Sequence, residues 1–538
     1  MLVGGYIYQP FVPRDQVQIV RLDAATGKYI PWSDGKSSHT IATIPPIEKW
    51  WIPRRPEGEL VEKRGFNANW CQRQTMGLAV AGEKLYASLY YENKIVVVDM
   101  EKGQAVGEIP LQHPAGLAGK PDGTVYAITG TQVVKIDAQG QSTPVVSTGL
   151  SAPIGLAIDE KGNLYVSDWG EAMCVKVFSS QGKLLKTIGK IGGRPLVGKY
   201  DPDGMFRPFG IAVDKQNRLW VAEFDISPRR ISVWDTASGK FLKEFCGSTY
   251  YAAEGTRVNP LNPKEAFVLG NSCELDWKKG LWRVIGTPWR PTKSTDIPFV
   301  NAGSYNVVKY KGRDFLIYNN GFLFCVLERN KKGDKPLAAL GSLYGLFRNG
   351  EEWPDVILKK VTGRNSKQLE DLKKRYPKAF NGMGPSYPEV AFMIGSSGVK
   401  ANFVWIDQNG DGLVQETELQ LFSNQDVGIK NQRGIFHTGG WGYACASDLS
   451  LYFPMTDQQD GVPTIKIGHL AIKEWNKAGA PVYDFQNIKV IGQETVLGFG
   501  DSFQWADSRG NVLVAHNPMI MISSEGKTLW QYPNPWPG

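Results

Sequence analysis

Four stretches of the chain repeat one another, and their spacing limits the fold more than any other feature of the sequence. The copies run from Met76 to Tyr86, His113 to Tyr126, Ala152 to Tyr165 and Arg207 to Trp220, and the longer three share a Pro-x-Gly-[Leu/Ile]-Ala core. Gly77, Gly116 and Gly155 fall 39 residues apart; Gly210 follows after 55, the same period with an insertion around Gly192 to Met205. A recurrence of this kind marks an array of like units, each unable to bury both of its faces alone.

Within a copy, the Pro-x-Gly-Leu-Ala stretch makes a first strand, with Gly where backbones crowd. Asp159-Glu-Lys-Gly-Asn163 supplies a turn, and Leu164-Tyr-Val-Ser-Asp168 alternates as a second strand. Third strands follow at Lys94–Asp99, Gln132–Asp137, Val175–Phe178 and Arg230–Asp235, each with a Gly-containing turn and a fourth strand after it. Sheets of this size stack radially, so the expected fold is all-β, a propeller of four-stranded blades. Further blades are expected at 250–295, 300–345, 436–485 and 500–533, and residues 4–32 read as the outer part of another that closes the ring with the C-terminal strands. The arithmetic gives seven or eight blades, eight being preferred, in a single propeller over 1–538.

Composition agrees with this. Among 538 residues are Gly 60 and Trp 17, with 21% charged, which excludes a disordered chain, a coiled coil and a collagen. The net charge of +8 is spread without a long basic run, and no apolar run is long enough to span a bilayer. Cys71, Cys174, Cys246, Cys273, Cys325 and Cys445 are scattered singly, which excludes a zinc ribbon or a dense disulfide framework and suits small buried side chains. Two segments fall outside the repeat. Residues 33–75, rich in Pro, Trp and Arg, are expected to form a long loop; 346–400 are expected to be partly helical, since Leu369, Leu372 and Tyr376 share a face before Pro377.

The four copies from 76 to about 246 resemble the NHL-repeat family of β-propellers. Phe403–Gly412, Gly440-Trp-Gly442 and Tyr532–Gly538 look like stretches of large, little-characterised NHL-repeat proteins exported by environmental bacteria. That resemblance implies an extracellular or periplasmic location and a chain that continues beyond the Pro-Trp-Pro-Gly ending, with no signal segment in the sequence at hand. It brings no agreed activity. Within the family, the peptide-amidating lyase carries zinc on histidines just after the repeat proline. Those places hold Ala115, Ile154 and Phe209 here, so that ligand set is absent from the recognisable copies.

The strongest chemical motif lies in 401–422, read as a strand followed by an ion-binding loop. Asp407, Asn409 and Asp411 occupy loop positions one, three and five, with Gly412 next, the carbonyl of Leu413 at seven, Gln415 at nine and Glu418 at twelve. This is the EF-hand loop pattern: a hard cation needs several oxygens, and short acids at alternate positions wrap one way round it. Ala401–Ile406 ahead of the loop reads as a strand instead of a helix, so the expected cofactor is a structural calcium ion and not a sensor's.

Catalytic residues are not evident. The weak candidates are Asp168 and Glu223, at matching places after the second strand, with Asp225 and Arg229 close behind Glu223, and the histidines His113, His437 and His516. Paired carboxylates can work as acid and base on a glycoside, while Asp at that repeat position can equally fix a turn. His437-Thr-Gly-Gly-Trp-Gly442 and the neighbourhood of His516 suit stacking of a sugar ring. The sequence therefore leads to a calcium-stabilised secreted or cell-surface propeller that binds a glycan or protein partner through a loop-rich face. The alternative is a carbohydrate-active enzyme, a polysaccharide lyase or glycoside hydrolase with a funnel site. A lactonase lacks a visible ligand set, and nucleic acid is not expected as a partner without a concentrated basic face.

Overall fold

The computed structural model describes residues 2–3, 6–11, 16–43, 75–90, 92–195, 198–223, 228–247, 256–268, 271–287, 304–319, 323–330, 333–342, 402–422, 444–459, 462–495, 503–507, 509–515 and 518–532. The regular structure is antiparallel sheet: nine sheets of four to six strands and one two-stranded hairpin among the described residues. The sequence arithmetic expects seven or eight. Two 3-10 turns, Glu416–Glu418 and Phe485–Asn487, also occur. No helix of the described residues is long and apolar enough to cross a membrane. The helical segment expected in 346–400 lies outside the described residues. The chain divides into two compact units, Met1–Pro195 with Asp201–Gly247 and Leu196–Tyr200 with Ser248–Gly538.

Five sheets make the first unit. The leading one joins Leu2–Val3, Tyr6–Phe11, Gln16–Asp23 and Ser38–Thr43. Residues 38–43, expected within a long loop, form its last strand, because Ser38-His-Thr-Ile-Ala-Thr43 buries His39 and Ile41 on one side and leaves Thr40 out. The other four sheets are the four copies of the repeat, and in each the order in space is the order in the chain. Burial falls from inside outward. In the third copy the strand Leu164–Asp168 is buried throughout, whereas only Ile188 is buried in Leu184–Ile188. A strand buried on both faces lies between two other sheets, which is the blade arrangement of a propeller.

The repeat glycines show how these sheets stack. A Cβ on Gly77 would lie 2.5 Å from the Ala115 carbonyl oxygen, and one on Gly116 would lie 2.6 Å from that of Ile154. One on Gly155 would press against the Phe209 carbonyl. Each glycine therefore touches the matching strand of the next copy, and any side chain would wedge the sheets apart. Side chains fasten the same junctions. Ser88 donates to the Ala115 carbonyl at 2.7 Å, Ser167 to that of Phe209 at 3.0 Å, and the buried indole of Trp169 to that of Pro208 at 2.6 Å.

In the second unit a five-stranded sheet has Gly198–Lys199 at its edge, then Leu281–Thr287, Asn271–Asp276, Glu265–Val268 and Arg257–Val258. A six-stranded sheet follows, from Ser304–Tyr310 through Arg313–Asn319, Leu323–Asn330, Gly333–Ser342 and Asn402–Ile406 to Leu419–Phe422. The last sheet spans Phe503–Ala506 to Thr528–Tyr532 and repeats the turn of the first unit. There Asp507 accepts from the amides of Arg509 and Asn511, as Asp159 accepts from that of Asn163 and Asp214 from those of Gln216 and Arg218.

Candidate functional sites

Asp168 and Glu223 occupy equivalent places. Asp168 pairs across the strand with Pro153 and Glu223 with Pro208, each the proline of its repeat copy. Both are buried, and both reach back to the backbone ahead of that proline. Asp168 accepts from the amides of Ser151 and Ala152 and pairs with Lys176 Nζ at 2.7 Å; Glu223 accepts from the amide of Phe206. In the second copy Thr129 faces Pro114 and donates to the Gln112 carbonyl, so the same device uses a hydroxyl there. Burial acts to raise the Asp168 carboxyl, but Lys176 and the amides of Ala152 and Gly170 outweigh it and hold the group below the usual carboxylate range. Glu223 lies between Arg194, 2.8 Å from one oxygen, and Arg230, 2.7 Å from the other, while its burial pushes the carboxyl up. Arg230 also bonds Glu244 and the carbonyls of Gly204 and Pro202, fastening the insertion within the repeat to its sheet.

The remaining candidates do not gather around these two. Arg229 is exposed and, as the strand neighbour of Arg230, points to the opposite face. His113 has a left-handed backbone (φ 45°), its amide donates to Asn93 Oδ1, and its ring packs on Tyr90 with 4.8 Å between centroids. Asp225, His437 and His516 lie outside the described residues.

In the second unit the loop from Asp407 to Glu418 joins Asn402–Ile406 to Leu419–Phe422, two antiparallel partners in one sheet. Gly412 has φ 70°, the left-handed turn that position six of such a loop requires. Asp407 is fully buried; Oδ1 accepts from the Gly410 amide, whereas Oδ2 has no hydrogen-bond partner among the described residues and lies 3.8 Å from Lys335 Nζ. Asn409 and Gln415 turn their amide N–H groups onto Asp411 Oδ2, at 2.9 and 2.5 Å. Glu418 accepts from the Trp405 indole at 2.9 Å and the Gln408 amide at 2.7 Å. Among the described residues, no three His, Cys, Asp or Glu side chains form a metal-holding group by themselves, so coordination here would depend on amide and carbonyl oxygens as well.

A cleft of about 760 Å3 also lies in the second unit and was not foreseen from the sequence. Its wall combines the edge strand Gly198–Lys199 and the turn carrying Asn259, Leu261 and Asn262 with Glu265, Asp314, Arg329 and Asp334. The Arg329 guanidinium donates both Nη groups to Glu265, at 2.8 Å each, and Nε to Asp334 at 3.0 Å; Asn259 Nδ2 adds a bond to Glu265 at 2.6 Å. Burial works to raise the Glu265 carboxyl, yet Arg329 and Asn259 hold it low, whereas burial keeps that of Asp334 raised. Arg329 and Asp334 face each other across a hairpin, so strand register was the signal available in advance.

The architecture and these sites define an all-β chain of propeller-type sheets carrying an EF-hand-like loop and a cleft lined by paired charged groups. No family model and no curated protein matches the chain. Among solved structures it is similar to hydrazine synthase of Kuenenia stuttgartiensis, at 17% identity over 47% of this chain and 76% of that one, TM-score 0.27. A nidogen/laminin complex matches at 16% identity, covering 44% of this chain and 92% of that one, TM-score 0.27. A gluconolactonase from Xanthomonas campestris matches at 14% identity, covering 45% and 85%, TM-score 0.27. At these scores no activity transfers.

Proposed function

We propose that this is a calcium-stabilised binding protein of NHL-propeller type, acting outside the cytoplasm on a glycan or protein partner. The observation that carries the calcium assignment is the Asp407 carboxylate, fully buried with Oδ2 lacking a hydrogen-bond donor among the described residues, at the head of a loop whose spacing and left-handed Gly412 suit a calcium ion. Asp407, Asn409, Asp411, Gln415 and Glu418 would hold the ion with side-chain oxygens and Leu413 with its carbonyl. Asn409 and Gln415 would first turn their amides over to present oxygen. A loop strung between two strands of one sheet ties the ion to the fold, so its role is stability, not signalling.

Binding is favoured over catalysis by the state of the carboxylates. Asp168 and Glu223 are buried and engaged in holding their own sheets, and in the cleft Glu265 and Asp334 share one guanidinium. That leaves Asp314 as the cleft carboxylate without a hydrogen-bond donor on one oxygen among the described residues, whereas a glycoside hydrolase needs a pair of available carboxyls. Thermal unfolding with calcium and with a chelator tests the calcium assignment. Calcium is expected to raise the melting temperature by several degrees, with half-saturation at about 10⁻⁴ to 10⁻³ M. An unchanged melting temperature, or the same rise with magnesium, would reject it.

A further inference from the structure

We infer that the cleft of the second unit is a binding site for a neutral, hydroxyl-rich saccharide. This deepens the glycan reading above and is independent of the calcium loop. At about 760 Å3 the cleft is the size of a small-ligand site. Its charged groups are three carboxylates, Glu265, Asp314 and Asp334, against two cations, Lys199 and Arg329. Arg329 is held on three nitrogens by Glu265 and Asp334, so it has no fork to offer the carboxylate of a uronate.

What the cleft does offer suits hydroxyls. The Asp314 side chain is 44% exposed and its Oδ1 has no hydrogen-bond donor among the described residues, Lys309 Nζ lying 3.7 Å away as an ion pair. A carboxylate so placed can accept from a ligand O–H. Amide and hydroxyl groups of Asn262, Ser272 and Thr287 line the same space and can donate as well as accept, as a sugar hydroxyl does.

The test is calorimetric titration of the full chain with cellotriose, maltotriose and mannotriose, and with trigalacturonate as the acidic comparison. At least one neutral trisaccharide is expected to bind. Asp314→Ala should weaken that binding about tenfold with unchanged melting temperature, and Asp314→Asn, which keeps an acceptor, should lose less. Trigalacturonate should bind at least about tenfold more weakly. Absence of binding by every neutral probe at about 10 mM, indifference to Asp314→Ala, or a preference for trigalacturonate would overturn the assignment. Repeating the titration in chelator separates the two readings: saccharide binding that persists where calcium has no effect on melting rejects the calcium loop alone.

Discussion

Asp168 illustrates how a side chain that looks catalytic in the sequence is used by the fold. It is a carboxylate in a reserved position of the repeat, yet it spends its oxygens on backbone amides and Lys176. Asp168→Asn is expected to cost about 3 kcal/mol, since Lys176 is left without its counter-charge. The pH dependence follows from the lowered carboxyl. Its stabilisation is present above the unfolded value of about 3.9 and is lost as pH falls through the folded value, so the gap between wild type and variant should narrow in melts taken from neutral pH to about pH 3. Lys335 offers a second check at this scale. Its ammonium lies 3.8 Å from Asp407 Oδ2 and competes with any cation there, so Lys335→Met should tighten calcium binding about fivefold in a direct titration. The loop stood out in the sequence because its candidate ligands, Asp407 to Glu418, fall at regular spacing within one short stretch. It hid the cleft because Asn259, Asp314 and Arg329 meet only through sheet pairing and turns, with no spacing in the chain that announces it.

At the level of strands and turns the repeat was legible, and the reason is steric. Gly77, Gly116 and Gly155 recur because each faces the backbone of the next copy, a contact that admits no side chain. Gly210 meets nothing of a following sheet among the described residues; the one atom near its Cβ position is the Ala222 methyl of its own sheet, 4.0 Å away. Gly116→Ala and Gly155→Ala should therefore each destabilise by about 2 kcal/mol or more in chemical denaturation, whereas Gly210→Ala should fall within about 0.5 kcal/mol of wild type. Equal losses at all three would contradict this view of the stacking. The strand Ser38–Thr43 was missed because the Pro- and Trp-rich composition around it outweighed a short alternating pattern.

For the molecule as a whole, the period predicted the blade-like sheets but not the division into two compact units, because it is clear only over 76 to 246 and copies outside that range keep turn chemistry more than sequence. The loop proposed to hold calcium belongs to the second unit, so amide exchange should separate the two. Chelator is expected to raise exchange across 402–422 and leave 75–195 unchanged. A uniform increase would mean that the ion, or the chelator, acts on the entire chain.

The edge strand Gly198–Lys199 carries one more consequence. It belongs to the second unit although the residues on either side of 196–200 belong to the first, and it covers the edge of Leu281–Thr287. The second unit is thus discontinuous in sequence and cannot be excised with one cut. A fragment beginning at Ser248 would present a bare strand, a ready template for another chain, and would lack a wall of the cleft. Gene-level dissection should therefore carry 196–200 along, grafted ahead of the fragment or added as a peptide, and a fragment made without it is expected to self-associate.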